Sequence, residues 1–163
     1  MIQALTQTNF SVFIQTEDNR IDTSVSSAHI RHLMKYTNDM NGDVLYAYAR
    51  TEWIFNRYTR MNFLYNITPP VNKFAGELSL RPAGYWKYEA YEVSWIDVVP
   101  AELNDELAPA TETTVLPVAN NHGVVQGLVT KGKMYVGDKA GTEQVQYTQR
   151  QEPSETNYIY YGQ

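Results

Sequence analysis

The chain has no cysteine. That excludes disulfides, thiolate chemistry and every cysteine-ligated zinc site, and it fits assembly in a reducing cytoplasm. There is no run of basic residues either. Thirteen Lys and Arg stand against 18 Asp and Glu, giving a formal net charge of -5 and a pI of about 5.1. The clustered cations of a broad nucleic-acid footprint are missing, so no nucleic-acid partner is expected. No apolar run approaches the roughly 20 residues needed to cross a bilayer, so no membrane partner is expected. The opening Met1-Ile2-Gln3-Ala4-Leu5-Thr6 has neither a basic region nor a long apolar region, so a secretory signal is not expected. Phosphate-cradling loops, dinucleotide fingerprints and a nucleophile elbow around serine are also absent. On these grounds no catalytic residue, no cofactor and no metal is assigned.

Tyrosine is what the chain has in excess: 13 Tyr beside 5 Phe and 3 Trp. Tyrosine favours strands and can bury its ring while its hydroxyl stays wet. The 43% hydrophobic content is too high for a wholly disordered chain. Six segments then read as strands. In residues 10–15, Phe10, Val12 and Ile14 share a face by the two-residue period. Residues 29–37 place Ile30, His32, Met34 and Tyr36 on one side. Ile30, Leu33 and Met34 also fit helical spacing, but the segments that follow favour a strand. Asn41-Gly42 turns this run into residues 44–50 as a hairpin. Residues 61–67 point Met61, Phe63, Tyr65 and Ile67 one way, and Pro69-Pro70 ends them. Residues 76–80 turn Leu78 and Leu80 inward. Residues 85–95 turn Trp86, Tyr88 and Ala90 inward. Short, regularly spaced strands with polar turns predict an all-β fold, a β-sandwich of Ig-like or jelly-roll-like type, with a closed barrel as the alternative.

The composition changes after residue 98. Residues 99–121 carry Glu102, Asp105, Glu106 and Glu112, three prolines and no Lys or Arg, and read as an extended acidic linker. Beyond it, β-prone pieces at 124–130, 133–136, 144–148 and 158–161 are separated by five glycines. Three regions follow: a sandwich domain over 1–98, the linker over 99–121, and a C-terminal β extension or arm over 122–163. Roughly 40 residues are near the lower limit for an independent core. The extension therefore needs a surface to pair with, and it is expected to dock, together with the linker, on a neighbouring subunit by strand addition and tyrosine burial, with completion of the first domain as the alternative.

Few residues suggest chemistry. His29 and His32 lie three apart, which suits one helical face but opposite faces of a strand. Asp22 and Asp39 are the nearest carboxylates in sequence, and a solvent-facing or core-satisfied pair is the simpler expectation. His122 sits in a turn sequence. Glu89 and Glu92 share a strand at odd separation, which directs them to opposite faces and suits solubility better than a glycosidase pair. An exposed Tyr and Trp face could stack sugars, which keeps a carbohydrate-binding module in view.

The order of several motifs carries a resemblance. Tyr36-Thr37-Asn38-Asp39 is followed by Arg57-Tyr58-Thr59-Arg60-Met61-Asn62-Phe63, then Gly76-Glu77-Leu78-Ser79-Leu80, then Gly84-Tyr85-Trp86-Lys87-Tyr88-Glu89-Ala90-Tyr91-Glu92. This series resembles small β-rich virion structural proteins of tailed phages, including marine and crAss-like groups. Residues 127–136 and the closing Gln146-Tyr147 and Tyr158-Ile159-Tyr160-Tyr161 are similar to their later strands. Ala90 stands where that pattern has a β-branched residue, and the acidic stretch 99–121 lies outside it. The resemblance implies a structural, non-enzymatic particle component, assembled in the bacterial cytoplasm and located in the virion. A capsid auxiliary or decoration protein comes first, and a portal-vertex, tail or fibre-attachment protein second. Its expected partners are other virion proteins, the major capsid protein or portal and tail proteins, with many copies or a homo-oligomer. Tyr135, Tyr147, Tyr158, Tyr160 and Tyr161 are the expected partner-binding residues.

Overall fold

A computed structural model describes residues 1–117 and 120–139. Nine strands form two sheets: β1 (Ile2–Leu5), β2 (Phe10–Ile14), β3 (Ile30–Asn38), β4 (Val44–Tyr48), β5 (Thr51–Ile54), β6 (Thr59–Tyr65), β7 (Glu77–Leu78), β8 (Gly84–Ser94) and β9 (Val124–Gly137). The large sheet runs β1-β9-β8-β3-β4. The small sheet runs β2-β6-β5, with β7 added in parallel to β6. The fold is all-β, as the sequence predicts. Among the described residues, no helix is long and apolar enough to cross a membrane.

The sheets close on each other through the residues that alternate inward. Met34, Tyr36, Ala47, Trp86, Ala90 and Met134 of the large sheet meet Val12, Ile14, Met61 and Phe63 of the small one, with Leu78 and Leu80 at the side. Register explains the unexpected Ala90. Met34 lies opposite both Ala47 and Ala90, so the row alternates small, large, small, and the rings of Tyr36, Phe63 and Phe10 fill the remaining space. Asn41-Gly42 does connect β3 to β4, with Gly42 at φ 77°.

Two expectations change. Residues 99–117 are not a solvated linker. They form a strap that covers the outer face of the large sheet, where Leu33, Tyr48, Val93 and Trp95 make a second apolar cluster with Ala108, Val99 and Leu103. The strap is tied down by its carbonyls. Trp95 Nε1 donates to Leu107 O at 3.1 Å and Tyr48 Oη to Pro109 O at 2.8 Å, and Lys35 Nζ meets Glu112 Oε1 at 2.6 Å. Glu102, Asp105 and Glu106 lie on its solvent side, whereas Pro109 is buried and Glu112 turns in to Lys35. β3 is consequently buried on both faces, which is why Leu33 and Met34 are both fully covered.

The second change concerns residues 122–163. Of the two surfaces open to this segment, residues 124–137 use the first domain. They form one 14-residue strand, β9, antiparallel to β8 along its length and parallel to β1 at its end. The boundary at 98 to 122 therefore does not separate a domain from an arm, because β9 stands between β8 and β1 in the large sheet. Gly132 does not break the strand; a Cβ there would collide with the Tyr88 ring that packs on it. The pieces at 144–148 and 158–161 lie outside the described residues.

Candidate interaction surfaces

The outer face of the small sheet follows from its inner one. Val12 and Ile14 point inward, so Phe13 points out. Met61 and Phe63 point inward, so Arg60 and Asn62 point out. Pairing aligns these residues in rows. Phe13 lies opposite Arg60, and Arg60 opposite Trp53; Ser11 lies opposite Asn62, and Asn62 opposite Thr51. In the first row the Arg60 guanidinium lies 5.2 Å from the Trp53 ring centroid and 5.8 Å from that of Phe13, a cation held between two π faces. Tyr58 and Phe55 extend the row at the β5–β6 turn, with ring centroids 4.9 Å apart and Tyr58 5.9 Å from Phe13. Phe13 is 58% exposed and Trp53 44%, so these rings are held by neighbours yet open to a partner. The second row is a polar ladder. Ser11 Oγ donates to Asn62 Oδ1 at 2.8 Å, and Asn62 Nδ2 donates to Thr51 Oγ1 at 3.0 Å.

A second surface lies along β9. On one side β9 pairs with β8 throughout. On the other, β1 covers only Met134 to Gly137, so among the described residues 124–133 have no ladder partner on that edge. Two irregularities in the β8–β9 register fall beside Leu128 and Val125 and disturb this edge. Val124, Leu128 and Tyr135 are exposed along the strand, and Tyr135 packs on Tyr85, ring centroids 5.2 Å apart. Of the expected partner-binding tyrosines, Tyr135 is thus at the surface. Tyr147, Tyr158, Tyr160 and Tyr161 lie outside the described residues.

The titratable groups singled out in the sequence have structural duties. His32 Nδ1 meets Glu52 Oε1 at 2.6 Å, and the two side chains are 3% and 1% exposed, linking the large sheet to the small one. An imidazole oriented by a carboxylate has the form of a catalytic pair, but one this enclosed reaches no substrate. His29 and His32 do not act together, since His29 Nδ1 pairs with Ile96 O at 3.1 Å. His122 Nδ1 pairs with Pro117 O at 2.8 Å, holding its turn. Glu92 corrects the expectation of a solvating carboxylate. It is fully buried and accepts the backbone N–H groups of Ile21 at 3.0 Å and Asp22 at 2.7 Å, anchoring the loop before β3. Glu89 lies at the surface, 3.5 Å from Lys35. Among the described residues, no group of three or more His, Cys, Asp or Glu could hold a metal ion.

Burial and charge shift the groups beneath the strap. Burial, followed by the Glu112 carboxylate, pushes the Tyr46 hydroxyl up to about 12. Burial pulls Glu112 upward, but the hydrogen bonds from Lys35 and Tyr46 prevail and hold it below the usual carboxylate range. Lys35 is raised above its ordinary value, chiefly by Glu112.

Sequence reasoning did not single out Phe13, Trp53, Phe55, Tyr58 and Arg60 as a site. The available signal was the density of aromatic and basic residues between 53 and 60, and the outward parity of Phe13 between Val12 and Ile14. No protein-family model, no curated protein and no solved structure matches this chain.

Proposed function

We propose that the protein is a non-enzymatic structural component of a tailed-phage particle, a decoration protein that joins neighbouring shell subunits by strand addition at β9. The observation that carries this reading is the edge of β9 over residues 124–133, which lacks a ladder partner among the described residues and lies beside the exposed Tyr85–Tyr135 pair. Such an edge is a hazard in a free monomer and a docking surface in an assembly. Main-chain hydrogen bonds supply affinity there, and alternate side chains such as Leu128 supply specificity. The order of motifs in the sequence, which resembles that of tailed-phage virion proteins, supports the same class. Incorporation into particles tests it. Leu128→Lys and Tyr135→Ala alter exposed side chains and leave the core intact. The folded variants should be excluded from particles that take up the wild-type chain. Unchanged incorporation of both would overturn docking at this edge. The copy number separates decoration, with copies comparable to the shell subunits, from a vertex or tail position, with few.

A further inference from the structure

We infer that the outer face of the small sheet is a binding site for an acidic oligosaccharide of the uronic-acid class. This surface is distinct from the β9 edge, and its argument is independent of any place in a particle.

The face combines three things that such a ligand needs. The first is a pair of aromatic side chains, Phe13 and Trp53, on the two strands that flank β6, so that they stand roughly 10 Å apart across the sheet. Half-exposed rings at this spacing offer C–H faces of successive sugars something to stack on. The second is a neutral hydrogen-bonding ladder formed by Ser11, Asn62 and Thr51. Asn62 accepts from Ser11 and donates one N–H to Thr51, and because both partners are hydroxyls the row can also run in the opposite sense with both bonds kept. The second Asn62 N–H, the Thr51 hydroxyl proton and the free lone pairs of Ser11 remain available to ligand hydroxyls.

The third is an uncompensated cation. Arg60 makes none of the ion pairs formed among the described residues. In a chain with 18 acidic residues a carboxylate partner would be easy to supply, yet the Phe13–Arg60–Trp53 and Ser11–Asn62–Thr51 rows contain none. The ladder continues into a recess of about 410 Å³ where Ser11, Asn62, Thr51 and Arg50 meet Phe10 and Phe63, again without a carboxylate. Arg50 stands at that end, where Glu77, which accepts hydrogen bonds from Asn66 and Asn72, also attracts it, so Arg60 is the less compensated of the two. Two guanidiniums therefore bracket a row of neutral hydrogen-bonding groups. Guanidinium recognises carboxylate by a paired, planar geometry. A ligand that alternates C–H faces, hydroxyls and carboxylates matches the rows in kind and in charge. A protein partner would use the aromatic side chains and Arg60, whereas the polar ladder beside them favours a ligand rich in hydroxyls.

The test uses the purified full chain, titrated with oligogalacturonate, with neutral cello-oligosaccharide of the same length as control. Calorimetry should show one site for the acidic sugar, weakened by salt, and binding of the neutral sugar weaker by about ten-fold or more. Trp53→Ala and Arg60→Gln, both at exposed positions, should each weaken oligogalacturonate by about ten-fold or more while thermal unfolding stays unchanged. Two results would overturn the inference. One is wild-type affinity for the acidic sugar in both folded variants. The other is no binding of the sugar by the wild type, including the case where the same variants lose attachment to particles, which would assign the face to a protein partner.

Discussion

Glu92 is the side chain on which local order depends most. A carboxylate at full burial is stable only if its oxygens are occupied, and here two backbone N–H groups occupy them. Glu92→Gln keeps the shape but replaces one acceptor by a donor facing a donor. We expect a loss of about 2–3 kcal/mol in urea unfolding, the scale of a charge-assisted hydrogen bond plus one unsatisfied N–H. A change within experimental scatter would show that the loop before β3 does not depend on this anchor. The parity of the strand already contained the answer. Trp86, Tyr88 and Ala90 point inward in the sequence pattern, and Glu92 is next in that series; the general preference of glutamate for solvent masked it. His32 was less legible, because its partner Glu52 is 20 residues away on a strand of the other sheet.

At the scale of elements, the strap depends on charge as well as on apolar contact. Glu112 has a lowered carboxyl pKa in the folded chain, so its contribution is present above the ordinary carboxylate value of 4.5 and is lost as pH falls through the lowered one. Tyr46 and Lys35 are raised, so theirs is complete below the ordinary values and is lost as pH rises; for tyrosine this runs from 10.0 to about 12. The strap should therefore hold best between these limits. Glu112→Gln should cost about 1 kcal/mol at about pH 7, and the difference from wild type should be smaller at about pH 3. An equal difference at both pH values would show that Glu112 acts through packing alone. The strap was not legible because its prolines and acids match those of a solvated linker. Its inward residues, Val99, Leu103 and Ala108, follow no strand or helix period. β9 was read as two pieces because glycine usually marks a turn, whereas Gly132 makes room for Tyr88. β2, β6 and β8 were legible from their inward series, although Ile67 lies past the end of β6 and is exposed, and the β3–β4 hairpin was legible from its Asn41-Gly42 turn.

At the scale of the whole molecule, the large sheet joins distant parts of the chain, with β1 and β9 side by side. A chain ending at Asn120 loses β9, exposes the inner flank of β8 and leaves Ile2 and Ala4 without Met134 and Val136. It should show no cooperative unfolding transition by circular dichroism, and a sharp transition would mean that β9 is dispensable to the core. The outward rows of the small sheet became visible only through pairing, because Phe13, Arg60 and Trp53 come from three strands that no local pattern aligns. The proposal that this sandwich serves as a multi-copy decoration protein is tested most directly by quantitative mass spectrometry of purified particles against the major shell protein. Copy numbers comparable to those of the shell subunits are expected, and absence of the chain from purified particles would contradict the proposal.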